Sequence, residues 1–319
     1  MTPNSPNLIL FVQHGWADTN GAMARLGQRI APANTTIVAP NLGWWRTWWR
    51  MDPLVNDVEA IAQRTLAKHP QLPLRIVGHS MGGLIWLEIL HRHPEWWPRV
   101  ESLVLIGSPV GGSDLCRIID PLAVGLGMAR DLGKNRRAMA NAIAAKIPTL
   151  SIASNTDGGS DGVVIRGATQ FDHAHWLELP GIVHAAQRHD TLIDEAITEF
   201  WRSPQQPNSQ TQAFSDVTKR VIQQLRDVPG MTDGHMRNFA KAKLWSTLEA
   251  DLNLFVWKSP WRVDHIFLGT NPGDCLYSGF VGWVHTTDLY CTLQQIKQDY
   301  GSSTADRPSS KYVELDSKK

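Results

Sequence analysis

One serine in this chain stands where its hydroxyl can act as a nucleophile. The segment Gly78-His79-Ser80-Met81-Gly82-Gly83 follows the apolar run Leu74 to Val77 and leads directly into a helical pattern, Gly83 to His93, stopped by Pro94. A serine hydroxyl attacks a carbonyl poorly unless it is held out beside a base. A sharp strand-to-helix turn holds it that way, and its strained backbone needs small neighbours, here Gly78 and Gly82. The helix that follows aims its first N–H groups at the place where negative charge would develop. The competing reading is a glycine-rich turn carrying an ordinary serine. The pattern itself is short, and the strand before it and the helix after it supply its specificity.

Such a nucleophile needs a base to take its proton and a carboxylate to orient that base. The loop Asn155-Thr156-Asp157-Gly158-Gly159-Ser160-Asp161-Gly162-Val163-Val164 offers Asp157 and Asp161. Either also suits a turn for backbone reasons alone. Among twelve histidines, His184 follows Pro180-Gly181-Ile182-Val183, His189 lies nearer the next helix, and His173 and His175 flank a strand pattern. Residue types alone leave this choice open.

The elements that must position these groups alternate. Leu8–Val12, Thr35–Ala39, Leu74–Val77, Ser102–Ile106, Thr149–Ala153 and His175–Leu179 read as strands. Helical patterns cover Gly21–Ile30, a segment from an Asp52-Pro53 start to His69, Gly83–His93 and Thr191–Trp201. Asp52 reads as an N-cap with Pro53 at the first helical position. About six strands with helical crossovers imply a doubly wound, mostly parallel sheet. In such sheets functional groups gather at the carboxyl ends of strands, where Gly15, Ser80, Asp161 and His184 all fall.

Residues 1–202 are therefore expected to form one catalytic domain, with 115–146 as a lid or an extended crossover. Residues 203–213, polar and turn-rich, read as a linker. Residues 214–300 read as a small α+β appendage. Within it, Ser215–Asp227, His235–Trp257 and Asp288–Tyr300 look helical, and His265–Gly269 and Phe280–Val284 look like strands. Asn271-Pro272-Gly273-Asp274 reads as a turn, and 301–319 as a disordered tail.

Bulk properties narrow the function. The 319 residues are 42% apolar and 19% charged, with a formal net charge of +1, so there is no electrostatic case for nucleic acid. Three cysteines, Cys116, Cys275 and Cys291, give neither a disulfide framework nor a zinc site. There is no phosphate-binding or dinucleotide fingerprint, and no metal or organic cofactor is expected. No signal peptide and no run of membrane-spanning length are visible, so a cytoplasmic protein is the expectation. Tryptophan is over-represented, with fourteen in all. Trp44, Trp45, Trp48 and Trp49 crowd the segment after the second strand. Core packing is one reading of them. An aromatic rim for an acyl chain or a lipid surface is the other.

Residues 8–202 resemble a compact α/β-hydrolase, close to small bacterial lipases and esterases that lack the first two strands of the full fold. The landmarks are His14-Gly15, Gly78-His79-Ser80-Met81-Gly82-Gly83, Gly107-Ser108-Pro109-Val110-Gly111-Gly112, and an acid followed by a histidine. The resemblance implies Ser80 as nucleophile. It favours Asp161, in Asp-Gly-Val-Val, as the acid over Asp157, and His184 as the base over His189. It also implies that the N–H groups of Trp16 and Met81 form the oxyanion hole, with His14 supporting that loop. Trp44, Trp45 and Trp48 become candidate substrate contacts. The implied activity is hydrolysis of a small-molecule ester or lipid through an acyl-enzyme. A thioesterase or acyltransferase on the same residues is the first alternative. A non-catalytic interaction protein that kept the fold is the second. A protein partner for the C-terminal region is left unspecified.

Overall fold

A computed structural model describes residues 5–112, 128–204, 215–249, 251–270 and 274–301. Cys116, the 115–127 half of the expected lid, most of the linker, Asn271–Gly273 and the tail beyond Gly301 fall outside these residues.

Strands β1 (Leu8–Gln13), β2 (Thr35–Val38), β3 (Leu74–His79), β4 (Val100–Ile106), β5 (Thr149–Asn155) and β6 (His175–Pro180) form one sheet in the order β2-β1-β3-β4-β5-β6. Every pairing in it is parallel. This is the α/β-hydrolase fold. The central strands β1, β3 and β4 are mostly apolar because both faces are covered. Ile9, Phe11, Ile76, Leu103 and Leu105 face one side, against α2 (Met51–Lys68) and α3 (Met81–Arg92). Leu10, Val12, Val77, Val104 and Ile106 face the other, against α1 (Asn20–Ile30) and α6 (Thr191–Arg202). After β1 the chain pairs outward with β2, then returns to place β3 on the opposite side. That switch opens a crevice at the carboxyl ends of β1 and β3, where ligands bind in open α/β sheets.

The start of α2 differs from expectation. The helix begins at Met51, so Asp52 and Pro53 lie inside its first turn. Its opening N–H is capped from a distance: Met51 N donates to Asp131 Oδ2 at 3.0 Å. A buried carboxylate from another segment thus replaces the local cap.

Residues 128–146 carry α4 (Met128–Leu132) and α5 (Arg137–Ala144). Met128, Leu132, Ala140, Ile143 and Ile147 are buried in the sheet's core, and Arg136 Nε donates to Glu88 Oε1 at 2.8 Å. This half of the expected lid packs against the sheet's core.

A second, antiparallel sheet follows, ordered β7-β11-β10-β9-β8. Its strands are β7 (Thr232–Asp233), β8 (Lys243–Thr247), β9 (Leu252–Lys258), β10 (Asp264–Thr270) and β11 (Cys275–Val281). Helices α7 (Asp216–Arg226) and α8 (Thr286–Tyr300) pack on one face over Leu252, Leu254, Ile266 and Leu268. The helix expected over His235–Trp257 is not there. A 3-10 turn (Met236–Lys241) and strands β8 and β9 take its place. Leu252 and Leu254 alternate toward the helices, a period of two that sheet pairing satisfies. The strand expected at Phe280–Val284 ends at Val281, and Trp283–His285 forms a 3-10 turn into α8.

Candidate active site

Ser80 ends β3 and precedes α3 with φ 56° and ψ −127°, a left-handed backbone that a non-glycine residue adopts only under constraint. The constraint is visible around it. A Cβ on Gly78 would stand 2.8 Å from Gly82 C, and one on Gly82 would stand 2.7 Å from His14 O. The turn closes because both flanks lack side chains. Ser80 N donates to Ile106 O at 2.8 Å, which ties the turn to β4.

The β1 loop lies directly over this turn. A Cβ on Gly15 would meet Ser80 Cβ at 2.9 Å and Met81 N at 3.0 Å. Met81 opens α3, so its N–H has no helical acceptor. Trp16 follows Gly15, is half-buried, and packs edge-on against Trp48 with ring centroids 4.3 Å apart. His14 is buried and braces the loop. Its Nδ1–H donates to Gly15 O at 3.0 Å, and its Nε2 accepts from Leu42 N at 3.0 Å. Burial lowers the His14 pKa, in keeping with a neutral ring that donates at one nitrogen and accepts at the other.

His184 and Asp161 meet. His184 Nδ1 donates to Asp161 Oδ2 at 2.7 Å, and the backbone repeats the pairing, His184 N to Asp161 O at 2.9 Å. The carboxylate is otherwise fully engaged. Gln187 Nε2 donates to Oδ2 at 2.7 Å, and Val163 N and Val164 N donate to Oδ1 at 3.0 and 2.7 Å. With Nδ1 turned to Asp161, His184 Nε2 makes no hydrogen bond among the described residues. Asp157, the rival acid, instead shapes its own loop. It accepts from Ser160 N at 2.7 Å and from Ser160 Oγ at 2.8 Å. Burial alone would raise its pKa, but the Ser160 hydrogen bonds and His235, 3.2 Å away, hold it below the usual value.

Two contacts bring His184 to the elbow. Its ring lies on that of His79, centroids 4.6 Å apart, and His79 Nε2–H donates to His184 O at 3.1 Å. A Cβ on Gly107, the residue after Ile106, would stand 3.2 Å from His184 Cε1 and 3.2 Å from Asp161 Oδ2. Ser80 Oγ itself makes no hydrogen bond among the described residues. His79 is fully enclosed. Burial pushes its pKa well below 6.5, so it serves as a neutral prop. Sequence reasoning passed over His79 and Gln187. The only hint of the first was its place inside the glycine motif, and nothing local marked the second.

The tryptophan segment forms a 3-10 turn, Trp44–Trp48. Its rings make a chain, Trp16 to Trp48 to Trp44 to Trp45, with successive centroids 4.3, 5.4 and 4.5 Å apart. The chain runs from the loop over Ser80 to open solvent, where Trp45 is 76% exposed. No metal-binding cluster of His, Cys, Asp or Glu occurs among the described residues. Among those residues, no helix is long and apolar enough to cross a membrane.

A family model described as serine aminopeptidase, S33, a hydrolase family, matches residues 4–160. The chain resembles that family through the elbow, and the match stops one residue before Asp161. Many solved structures are similar to this chain over its parallel-sheet part. A lipase from Bacillus licheniformis in its mature form is 15% identical, covering 63% of this chain and 93% of its own, with a TM-score of 0.46. A metagenome-derived lipolytic enzyme is 18% identical over 62% of this chain and 94% of its own, with a TM-score of 0.48. A thioesterase from the prodiginine biosynthetic pathway of Streptomyces coelicolor is 17% identical over 63% and 89%, with a TM-score of 0.39. A comparison with curated protein sequences gave no match.

Proposed function

We propose that this chain is a serine hydrolase that cleaves carboxylic esters through an acyl-enzyme. Ser80 is the nucleophile, His184 the base, and Asp161 the residue that orients and stabilises the imidazole. The carrying observation is the 2.7 Å His184–Asp161 hydrogen bond beside a serine held at φ 56°. His184 Nε2 takes the Ser80 proton as Oγ attacks the carbonyl carbon. The oxyanion is held by the N–H groups of Met81 and Trp16; losing one such donor costs about 3 kcal/mol of barrier. His184 then returns the proton to the departing alcohol. Water repeats the steps in reverse and releases the acid. On this reading the Ser80–His184 hydrogen bond forms when substrate fills the site. The rings of Trp44, Trp45 and Trp48 offer an apolar flank for the acyl part of the substrate or for a lipid surface.

Turnover of short and medium p-nitrophenyl esters by wild type and Ser80→Ala tests the reading. A fall of about 10⁴-fold or more in kcat is expected. Equal rates would remove the nucleophile. An aminoacyl p-nitroanilide belongs in the same panel, because the matched family is described by an aminopeptidase. Hydrolysis of the anilide in preference to the esters would replace ester by amide as the substrate class.

A further inference from the structure

A cavity of about 540 Å³ lies between the two sheets' units, away from Ser80. That size is within the roughly 300–1,000 Å³ typical of small-molecule sites. The parallel-sheet unit contributes Ile165, Phe171 and Trp176 to its wall, and the C-terminal unit contributes Ile222 and Leu276. These surfaces are apolar. One face of α7 adds two cations, Lys219 and Arg226.

The charges at this cavity do not cancel. Asp233 is taken by Arg137, at 2.6 Å, and stands 3.4 Å from Arg226. Arg166 pairs with Glu178 at 3.2 Å. Asp172 sits on the exposed rim and accepts from Asn141. Lys219 has no ion pair among the described residues. Arg226 lies over the Tyr277 ring at 5.4 Å, and its Nη2 makes only long hydrogen bonds, to Asp233 Oδ2 and Gly167 O, each at 3.4 Å. A guanidinium suits a carboxylate in particular, since both are planar forks.

We propose that this cavity is a binding site for an amphipathic monocarboxylate, its carboxylate on Arg226 and Lys219 and its apolar body against Phe171, Trp176 and Leu276. The site also touches the loop that carries Asp161. Gly159 and Ile165 border the cavity, Ser160 bridges to Ile165, and Arg166 N donates to Gly159 O at 3.0 Å. An occupant therefore stiffens the segment from 159 to 167.

The test uses the full chain and octanoate, with octanol as its neutral counterpart. Calorimetry should show one octanoate bound, about tenfold or more tighter than octanol. Arg226→Gln should weaken octanoate about tenfold. Because Arg226 also approaches Asp233, Lys219→Glu is the second variant. It lies on the helix surface and should weaken octanoate by a similar factor. Hydrogen exchange should slow at 159–167 and along α7. Absence of binding, equal affinity in wild type and Lys219→Glu, or protection confined to the 78–83 elbow would each overturn the site. None of these readouts requires Ser80 to be reactive, so failure of the esterase reading leaves this result interpretable.

Discussion

Asp161 and Asp233 are equally buried aspartates, 2% and 1% exposed, held by opposite kinds of partner. Asp161 accepts from an imidazole, a carboxamide and two backbone amides. Asp233 is clasped by the guanidinium of Arg137, with Arg226 and the Tyr277 hydroxyl alongside. Burial alone would raise the Asp233 pKa, but Arg137 and Arg226 outweigh it and hold it below the ordinary value. Burial of Tyr277, reinforced by the Asp233 charge, pushes its phenol well up. Burial lowers the Arg137 pKa and the Asp233 charge opposes that shift, so the Asp233 cluster is a clamp. It joins β7 to α5, and Arg137 extends the clamp to Gly167 O and Gln170 O, each at 2.8 Å. The imidazole on Asp161 is held through one ring nitrogen only, and its Nε2 makes no hydrogen bond among the described residues. The difference teaches that the partner, and not the depth of burial, decides whether a buried carboxylate locks a structure or, on the proposed reading, serves a reaction.

The sharpest way to break this comparison is to neutralise each carboxylate in turn. Asp161→Asn keeps the size but leaves His184 Nδ1 facing an amide. Ester turnover should fall by about 10³–10⁴-fold, with KM little changed. The opposite pattern is expected for Asp233→Asn, which strands the Arg137 charge in the interior. Denaturant unfolding should show a loss of about 3–5 kcal/mol, while kcat of the folded fraction stays near wild type. If both variants lost activity and kept stability, the assignment of roles would fail.

A smaller effect separates positioning from catalysis. His79→Phe keeps a ring against His184 but removes the hydrogen bond to its carbonyl. A misplaced base costs roughly 10- to 100-fold in kcat, with KM preserved. A rise in KM alone would make His79 a binding residue.

Smallest is the effect of pH on stability. His14 and His79 are held neutral by burial, below the ordinary 6.5. As pH falls below about 6.5 the unfolded chain takes up protons that the native rings refuse, so stability drops in that window. His93 works the other way. Burial would lower its pKa, but hydrogen bonds to Glu59 and Glu95 raise it. Its contribution is present below 6.5 and is lost as pH rises through its raised value. The Asp233 contribution lies lower still, lost only as pH falls below about 3.8. Urea midpoints across this range should therefore decline on the acid side of 6.5, and the decline should shrink in His79→Phe.

How much was legible in the residues follows the same division between local and distant forces. The central parallel strands could be read because both their faces are buried and they are mostly apolar. Ser80 could be read because its turn geometry demands glycine at fixed neighbours. Asp161 and His184 could be placed only through resemblance, since their pairing spans 23 residues. His79 and Gln187 could not be assigned roles, because each acts through a contact that exists only in the folded site. The C-terminal sheet was the least legible part. Between His235 and Trp257 apolar residues serve both faces of short antiparallel strands, and that density mimics a helix. Nothing local marked Asp233, and its partner Arg137 lies 96 positions away. The cap of α2 failed for the same reason, with Asp131 standing where Asp52 was expected.

The most direct measurement is site mapping of a fluorophosphonate adduct on the full chain by peptide mass spectrometry. The account predicts a single phosphonylated residue, Ser80, formed rapidly in wild type and slowed strongly in Asp161→Asn. An unlabelled Ser80, or one labelled at the same rate with Asp161 neutralised, would contradict it.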